Sequence, residues 1–281
     1  MTAVENVSGS TGESVLPPAL LAELDRLAAV DRLLVALDFD GTVAPIVDDP
    51  SESRALPAAH AALLALSAMP GTTVALVSGR AIESLAEVSL LPETVLLVGS
   101  HGLEVRLGDL ATDEHEGSLN AVELARVDAD QLSALLEHVA PLVNAVDGAW
   151  IERKPAGFAV HTRQVDDAAA VRLHDAVREA ALALHPDLTV RRGLNVLELS
   201  LRDATKADGI AALRAATRSD AVLFAGDDVT DEDALAALVA GDVGIKVGGA
   251  DSVAPHRVPD EASMACVLVA LAARRLVSAS V

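Results

Sequence analysis

The chain is poor in the residues that most often anchor a protein core. Tyrosine is absent, and one tryptophan and three phenylalanines make up an aromatic content of 1%, although 51% of residues are apolar. Its cores must therefore be built from Ala, Val and Leu. A single cysteine, Cys266, excludes an internal disulfide framework. No apolar run approaches the roughly 18 residues of a membrane-spanning helix, so no membrane partner is expected. The first fourteen residues are acidic and polar, without the basic and apolar stretches that direct secretion, and the expected location is the cytoplasm. Positive charge is scarce too: 21 Lys and Arg stand against 42 Asp and Glu, a formal net charge of −21. That balance argues against a nucleic-acid partner, which needs a basic surface. Any anionic substrate must be met by a few basic groups gathered in one place. At 281 residues there is length for one large or two modest domains.

What is present is organised around Leu33 to Thr42, which reads LLVALDFDGT. A short apolar run without alternation suits a strand buried on both faces, as in a parallel sheet. Open α/β sheets place their chemistry at the carboxyl ends of such strands, and Asp38 and Asp40 project there, with Gly41 allowing the backbone to turn. Two carboxylates so close repel each other unless a cation sits between them. A plain Asp-Gly turn is the simpler reading, but a turn does not need a buried strand in front of it.

The rest of the chain repeats this grammar. Residues 1–16 read as a disordered tail, and Pro17-Pro18 opens a helix over Ala19–Val30. A polar loop from Pro45 to Pro57 precedes a helix over Ala58–Met69, which Pro70-Gly71 stops. Thr72–Val77 is a second buried strand, and it runs into Ser78-Gly79-Arg80 before another helix. The hydroxyl and the free N–H groups of a helix start both donate to an anion, which makes a phosphate seat; a serine N-cap without ligand uses the same residues. Thr94–Val98 is a third strand, ending in Gly99-Ser100-His101-Gly102. Glycines around a histidine suit close approach to a ligand, a hinge, or a purely structural histidine.

From about residue 112 the pattern changes to helix, strand, strand, given twice: Asn120–Val143, Trp150–Lys154 and Phe158–Arg163, then Asp166–Leu184, Leu188–Arg192 and Asn195–Leu201. This predicts a small antiparallel sheet with helices on one face and the other face open. Strand alternation puts Leu197, Leu199 and Leu201 in the core and Glu198 on the open face. The same alternation pairs His161 with Arg163, and Glu152 with Lys154. These five polar residues define one candidate surface for hydroxyls and charge; a merely solvated face is the alternative.

Lys206 then opens a helix running to about Thr217, a position opposed by the helix dipole unless an anion lies nearby. A fourth buried strand, Ala221–Ala225, ends in GDDVTDEDA, with five acids between Asp227 and Asp233. Such a density of hard oxygen donors at a strand end beside Asp38 and Asp40 points to Mg²⁺. Val243–Val247 gives a fifth strand and Pro259–Ala273 a closing helix.

Asp38-Phe39-Asp40-Gly41-Thr42, Ser78, Lys206 and the acidic run at 227–233 resemble, in order, the four motifs of the haloacid dehalogenase superfamily. Within it, Gly99 to Glu104, the stretch from Ile151 to Arg163, Val196-Leu197-Glu198 and the 226–233 run are similar to trehalose-6-phosphate phosphatases. The departures are mild: Thr162 sits where an aromatic is frequent, and Ala207 rather than glycine follows the lysine. The resemblance covers roughly residues 32–275. It implies an α/β fold: a Rossmann-like core with a parallel sheet (17–111 and 203–281) and an inserted α+β cap of the C2 type with a small antiparallel sheet (112–202). It implies Asp38 as nucleophile, Asp40 as general acid and base, and Ser78 and Lys206 on the phosphate. Mg²⁺ would be held by Asp38, the Asp40 carbonyl and Asp227, with Asp228 and Asp231 in support. Gly79, Arg80, His101, Glu152, Lys154, His161, Arg163 and Glu198 would bind substrate. The implied substrate is trehalose 6-phosphate, and a functional association with a trehalose-6-phosphate synthase is compatible with it. The rival readings are a phosphatase for sucrose 6-phosphate, mannosyl-phosphoglycerate or a hexose phosphate, a receiver-type phospho-acceptor domain, and a non-catalytic sugar-phosphate-binding module.

Overall fold

The computed structural model describes residues 16–108, 126–154, 156–201 and 204–278. The chain opens with α1 (Pro18–Ala28), β1 (Leu33–Leu37), α2 (Pro57–Ser67), β2 (Thr72–Val77), α3 (Ile82–Ser89), β3 (Leu96–Gly99) and β4 (Glu104–Arg106). The inserted elements follow: α4 (Arg126–Asn144), β5 (Trp150–Lys154), β6 (Gly157–His161), α5 (Asp167–Leu184), β7 (Thr189–Gly193) and β8 (Val196–Ser200). Finally come α6 (Lys206–Thr217), β9 (Ala221–Gly226), α7 (Asp231–Ala236), β10 (Val243–Val247), β11 (His256–Val258) and α8 (Glu261–Ser278).

The unbroken apolar runs form a seven-stranded sheet in the order β11-β10-β9-β1-β2-β3-β4, parallel except for β4. Residues of β1 alternate between two cores. Leu33, Val35, Leu37 and Phe39 pack with α1, α2, α3 and α8, while Leu34 and Ala36 pack with α6 and α7. Burial on both faces is why these strands carry no polar alternation. The winding runs outward from β1 through β2 and β3, then resumes on the other side of β1 with β9 and β10. The reversal between β1 and β9 opens the crevice in which such sheets hold ligands.

The second sheet has the order β5-β6-β8-β7, all antiparallel. One face, with Phe158, Val160, Leu197 and Leu199, packs on α4 and α5. The other face turns toward the first sheet, as alternation predicts.

Two short strands escaped sequence reading, β4 and β11, because three residues hold too little pattern to see. The six-residue α7 starts where Thr230 and Asp231 offer a helix start within the acidic run. The strand expected to reach Arg163 ends at His161. There the Thr162 N–H donates to the Asn195 carbonyl and its hydroxyl bonds the His174 imidazole, so the backbone leaves the sheet. Residues 109–125 and 202–203, where the expected cap boundaries and the start of the helix expected from Asn120 fall, lie outside the described residues. So does the expected tail, except Leu16, which is buried against α1's core.

Arg275, on α8, fastens the amino ends of the strands. Its buried guanidinium donates to Thr72 Oγ1 (3.0 Å) and to the carbonyls of Val30 (2.5 Å), Gly71 (2.9 Å), Ala28 and Pro70. Arg275→Met removes these donors and leaves buried acceptors unpaired, which costs about 1–3 kcal/mol. A urea titration of the variant is expected to show that loss, and an unchanged midpoint would refute it.

Candidate active site

β1 carries Asp38 to the crevice, where its N–H donates to the Ala225 carbonyl of β9 at 2.9 Å. The chain then turns sharply, with Gly41 N–H to Ala44 O at 2.7 Å and Val43 and Ala44 N–H both on Phe39 O. Gly41 holds a left-handed φ of 81°, and a Cβ there would lie 2.2 Å from Asp227 Oδ2. The turn therefore needs glycine twice over, for its conformation and for the room.

Asp38, Asp227 and Asp231 converge so that one oxygen of each lies within 4.8 Å of the others. Lys206 is the counter-ion of this nest, its Nζ donating to Asp38 Oδ1 at 2.7 Å and to Asp231 Oδ1 at 2.6 Å. Thr42 Oγ1 bridges Asp38 (3.4 Å) and Asp227 (3.2 Å). A capping box formed by Thr205 and Asp208 starts α6 and fixes where Lys206 leaves the backbone. Burial pushes the Asp38 carboxyl well up; Lys206 opposes this, and the charges of Asp231 and Asp227 add to it. Asp227 is pushed up to about 6, by burial and then by Asp231. For Lys206, burial favours the neutral form, but Asp38 and Asp231 prevail and raise it above its ordinary value. One ammonium among three carboxylates leaves the nest short of positive charge. Its hard oxygen donors fit a divalent cation.

Asp40 stands apart from the nest. Arg80 forks both its oxygens, Nε to Oδ2 at 2.5 Å and Nη2 to Oδ1 at 2.8 Å, and Ser53 Oγ donates at 2.8 Å. Ser78 is buried at the end of β2, its hydroxyl accepting the Arg80 N–H at 3.2 Å.

The polar face of the second sheet meets these loops. Lys154 Nζ donates to Glu198 Oε1 (2.5 Å) and to the Gly79 carbonyl (2.9 Å), and His101 Nε2 lies 2.9 Å from Glu198 Oε2. Consecutive positive φ values at Ser100 (49°) and His101 (57°) aim this imidazole, the kind of backbone strain that gathers at functional sites. Further along the face, His161 Nε2 bonds Glu152 Oε2 at 2.8 Å, and its ring stacks on Trp150 with centroids 4.7 Å apart. Arg163, past the strand end, is not part of that polar surface; it donates to the Val47 and Asp48 carbonyls in the loop after β1.

Sequence reading placed Asp231 and Asp228 together in support of a metal. The two differ: Asp231 joins the nest, while the Asp228 carboxylate accepts its neighbour's N–H from Val229 at 2.7 Å. Thr42, Ser53 and Arg191 were missed. Arg191 sits directly opposite Glu198 in register, and alternation along β7 was the available signal. Nothing local marks Ser53, thirteen residues from its partner.

Burial would raise the Glu198 carboxyl, but His101 and Lys154 outweigh it and hold it at about 2, against an ordinary 4.5. The stability it contributes is present above pH 4.5 and is lost as pH falls toward 2. Between pH 5 and 3, thermal unfolding should therefore show a smaller loss in Glu198→Gln than in the unaltered chain. Equal losses would show that this carboxylate does not tie the two sheets together.

The family model described as trehalose-phosphatase matches residues 36–263. An uncharacterised glycosyl hydrolase of Mycobacterium tuberculosis is 33% identical over 259 residues, covering 88% of this chain and 18% of that protein. The trehalose-phosphate phosphatase of Mycobacterium avium is 32% identical over 259 residues, 85% of this chain and 61% of that protein. The chain thus spans less than two thirds of either relative. Among solved structures, the C-terminal domain of Candida albicans trehalose-6-phosphate phosphatase superposes with a TM-score of 0.71 at 21% identity, covering 91% of this chain and 96% of that one. A haloacid dehalogenase-like hydrolase from Bacteroides thetaiotaomicron gives 0.56 at 14% identity, covering 85% and 98%. The haloacid dehalogenase-like core with an inserted antiparallel sheet is the expected fold, and the matched model covers most of the sequence. The chain belongs to the trehalose-phosphatase family.

Proposed function

We propose that this chain hydrolyses trehalose 6-phosphate to trehalose and inorganic phosphate through an aspartyl-phosphate. The observation that carries the reading is the buried Asp38, held by Lys206 beside two more carboxylates, under a polar sheet face. Asp38 would attack phosphorus through a carboxylate oxygen as the bond to the sugar oxygen breaks. Asp40 would give that leaving oxygen its proton, then take a proton from the water that splits the acyl-phosphate. Phosphate leaves, and both aspartates return to their starting state.

Uncatalysed phosphate-monoester hydrolysis is so slow that enzymes reach accelerations of ~10²¹. Charge stabilisation around the transferred group must supply most of it. Lys206, the Ser78 hydroxyl and the N–H groups at its loop are the donors at hand. Mg²⁺ held by Asp38, Asp227 and the Asp40 carbonyl would screen nucleophile from phosphate. Asp231 has both oxygens engaged, by Lys206 and by the Asp228 N–H, which favours a supporting role. Arg80 fixes Asp40 between turnovers; an arriving phosphate gives its guanidinium a competing anion, which frees Asp40 to take up from solvent the proton it passes to the leaving oxygen. The inserted unit at 112–202 acts as a lid whose Glu152, Lys154, His161 and Glu198 take sugar hydroxyls, with His101 and Gly79 on the core side. Arg163, by its contact with the loop after β1, aligns the lid.

The direct test is phosphate release from trehalose 6-phosphate, glucose 6-phosphate and sucrose 6-phosphate, each with Mg²⁺ and with EDTA. Release from trehalose 6-phosphate alone, abolished by EDTA and restored by Mg²⁺, is the expected result. Release from another sugar phosphate would keep the core chemistry and overturn the lid assignment, and silence with all three would overturn the enzyme reading.

Asp38→Asn removes the nucleophile and also one of three crowded negative charges. Turnover should disappear while the melting temperature holds or rises. Retained turnover would sink the nucleophile assignment, and a collapsed melting temperature would sink the account of repulsion in the nest.

A further inference from the structure

The acidic run at 226–233 contains five carboxylates, and Lys206 compensates only one of them directly, Asp231. A second cation reaches it from an unexpected side. Lys246 belongs to β10, where it pairs with Gly226, and only 1% of it is exposed. Its neighbours Ile245 and Val247 fill the apolar core on one face of the sheet. Lys246 points to the other, and its Nζ donates to the Asp228 carbonyl at 3.1 Å and to Glu232 Oε1 at 2.9 Å. Glu232 is itself fixed, its Oε2 accepting from Ser252 Oγ at 3.1 Å and from the Val253 N–H at 2.9 Å.

Asp228 is therefore held from both directions. Its N–H donates to Asp231 Oδ2 at 2.9 Å, and its carbonyl accepts from Lys246 at 3.1 Å and, more weakly, from the Asp231 N–H at 3.3 Å. These bonds pin the peptide planes immediately after Asp227. At Gly226, on the other side, a Cβ would stand 2.1 Å from the Asp231 carboxyl carbon, so the loop closes tightly over Asp231. A fully buried ammonium is expensive unless it is paired and hydrogen-bonded, and this one has one partner on the loop that carries Asp227 and the other in α7, which follows that loop.

We propose that Lys246 is a positioning residue for the divalent-cation site: with Glu232 as its anchor, it fixes the Asp228 carbonyl and so aims the Asp227 carboxylate. The inference rests on the cation reading given above. It predicts a sign that electrostatics alone would not. Deleting a nearby positive charge should, by Coulomb's law, tighten the binding of a cation. Deleting a positioning group should weaken it, as loss of the hydrogen bonds that orient metal ligands does, by about 10–100-fold.

The test is direct binding of Mn²⁺ to the full chain, read by electron paramagnetic resonance, with Mg²⁺ displacing it, in the unaltered chain, Lys246→Met and Lys246→Gln. The Met variant should bind about tenfold more weakly or worse. At saturating metal its KM for trehalose 6-phosphate should stay within about twofold, because Lys246 touches neither phosphate nor sugar. The Gln variant keeps an uncharged donor and should fall between the two; it carries the test if the Met variant does not fold. Binding that is unchanged or tighter in a folded variant overturns the proposal. Absence of binding in the unaltered chain overturns the cation reading itself, and the proposal with it.

Discussion

Repulsion among buried carboxylates is the constraint that the larger sheet and its loops answer. Asp38, Asp227 and Asp231 come from two neighbouring strands and a helix start, and they meet where water is largely excluded. In such surroundings each negative charge raises the cost of the next. Lys206, anchored by the first turn of α6, offsets part of that cost through two short bonds. Thr42 spans a second pair, Asp38 and Asp227. The residual deficit of positive charge suits a site that takes up a cation and then a phosphoryl group.

The parallel sheet makes this crowding possible. Because β1 and β9 are adjacent and parallel, with Leu37 beside Ala225, Asp38 and Asp227 emerge at the same end of the sheet, one residue apart in register. Burial on both faces makes the strands rigid, so the carboxylates cannot drift apart to relieve their repulsion. The stability of the two apolar cores is thus what holds an electrostatically unfavourable arrangement in place.

The second sheet brings charge of its own. Lys154, Glu198 and His101 form a chain of ionic and hydrogen-bonded contacts from the second sheet to the loops after β2 and β3. Glu152, His161 and Trp150 form a separate group further along the same face. In a chain whose three phenylalanines are all fully buried, Trp150 is the one aromatic left partly open to solvent.

The sequence by itself determined the strands that build the core, because unbroken apolar runs buried on both faces leave a pattern that needs no partner to be read. It also singled out Asp38, Asp40, Ser78, Lys206 and Asp227 as candidates, since each stands just past the end of such a run or at the start of a helix. Alternation in the second sheet was enough to put Glu152, Lys154, His161 and Glu198 on one face. Only the tertiary structure decided the pairings. Arg80 with Asp40, Ser53 with Asp40, His101 with Glu198 and Lys246 with Asp228 join residues far apart in the chain. It also decided that Arg163 leaves the sheet, and that Asp231 enters the nest while Asp228 contributes its backbone. Periodicity records which way a side chain points relative to its own element. Which group from another element it meets depends on register, crossover and loop closure, and those are settled only when the whole chain has packed.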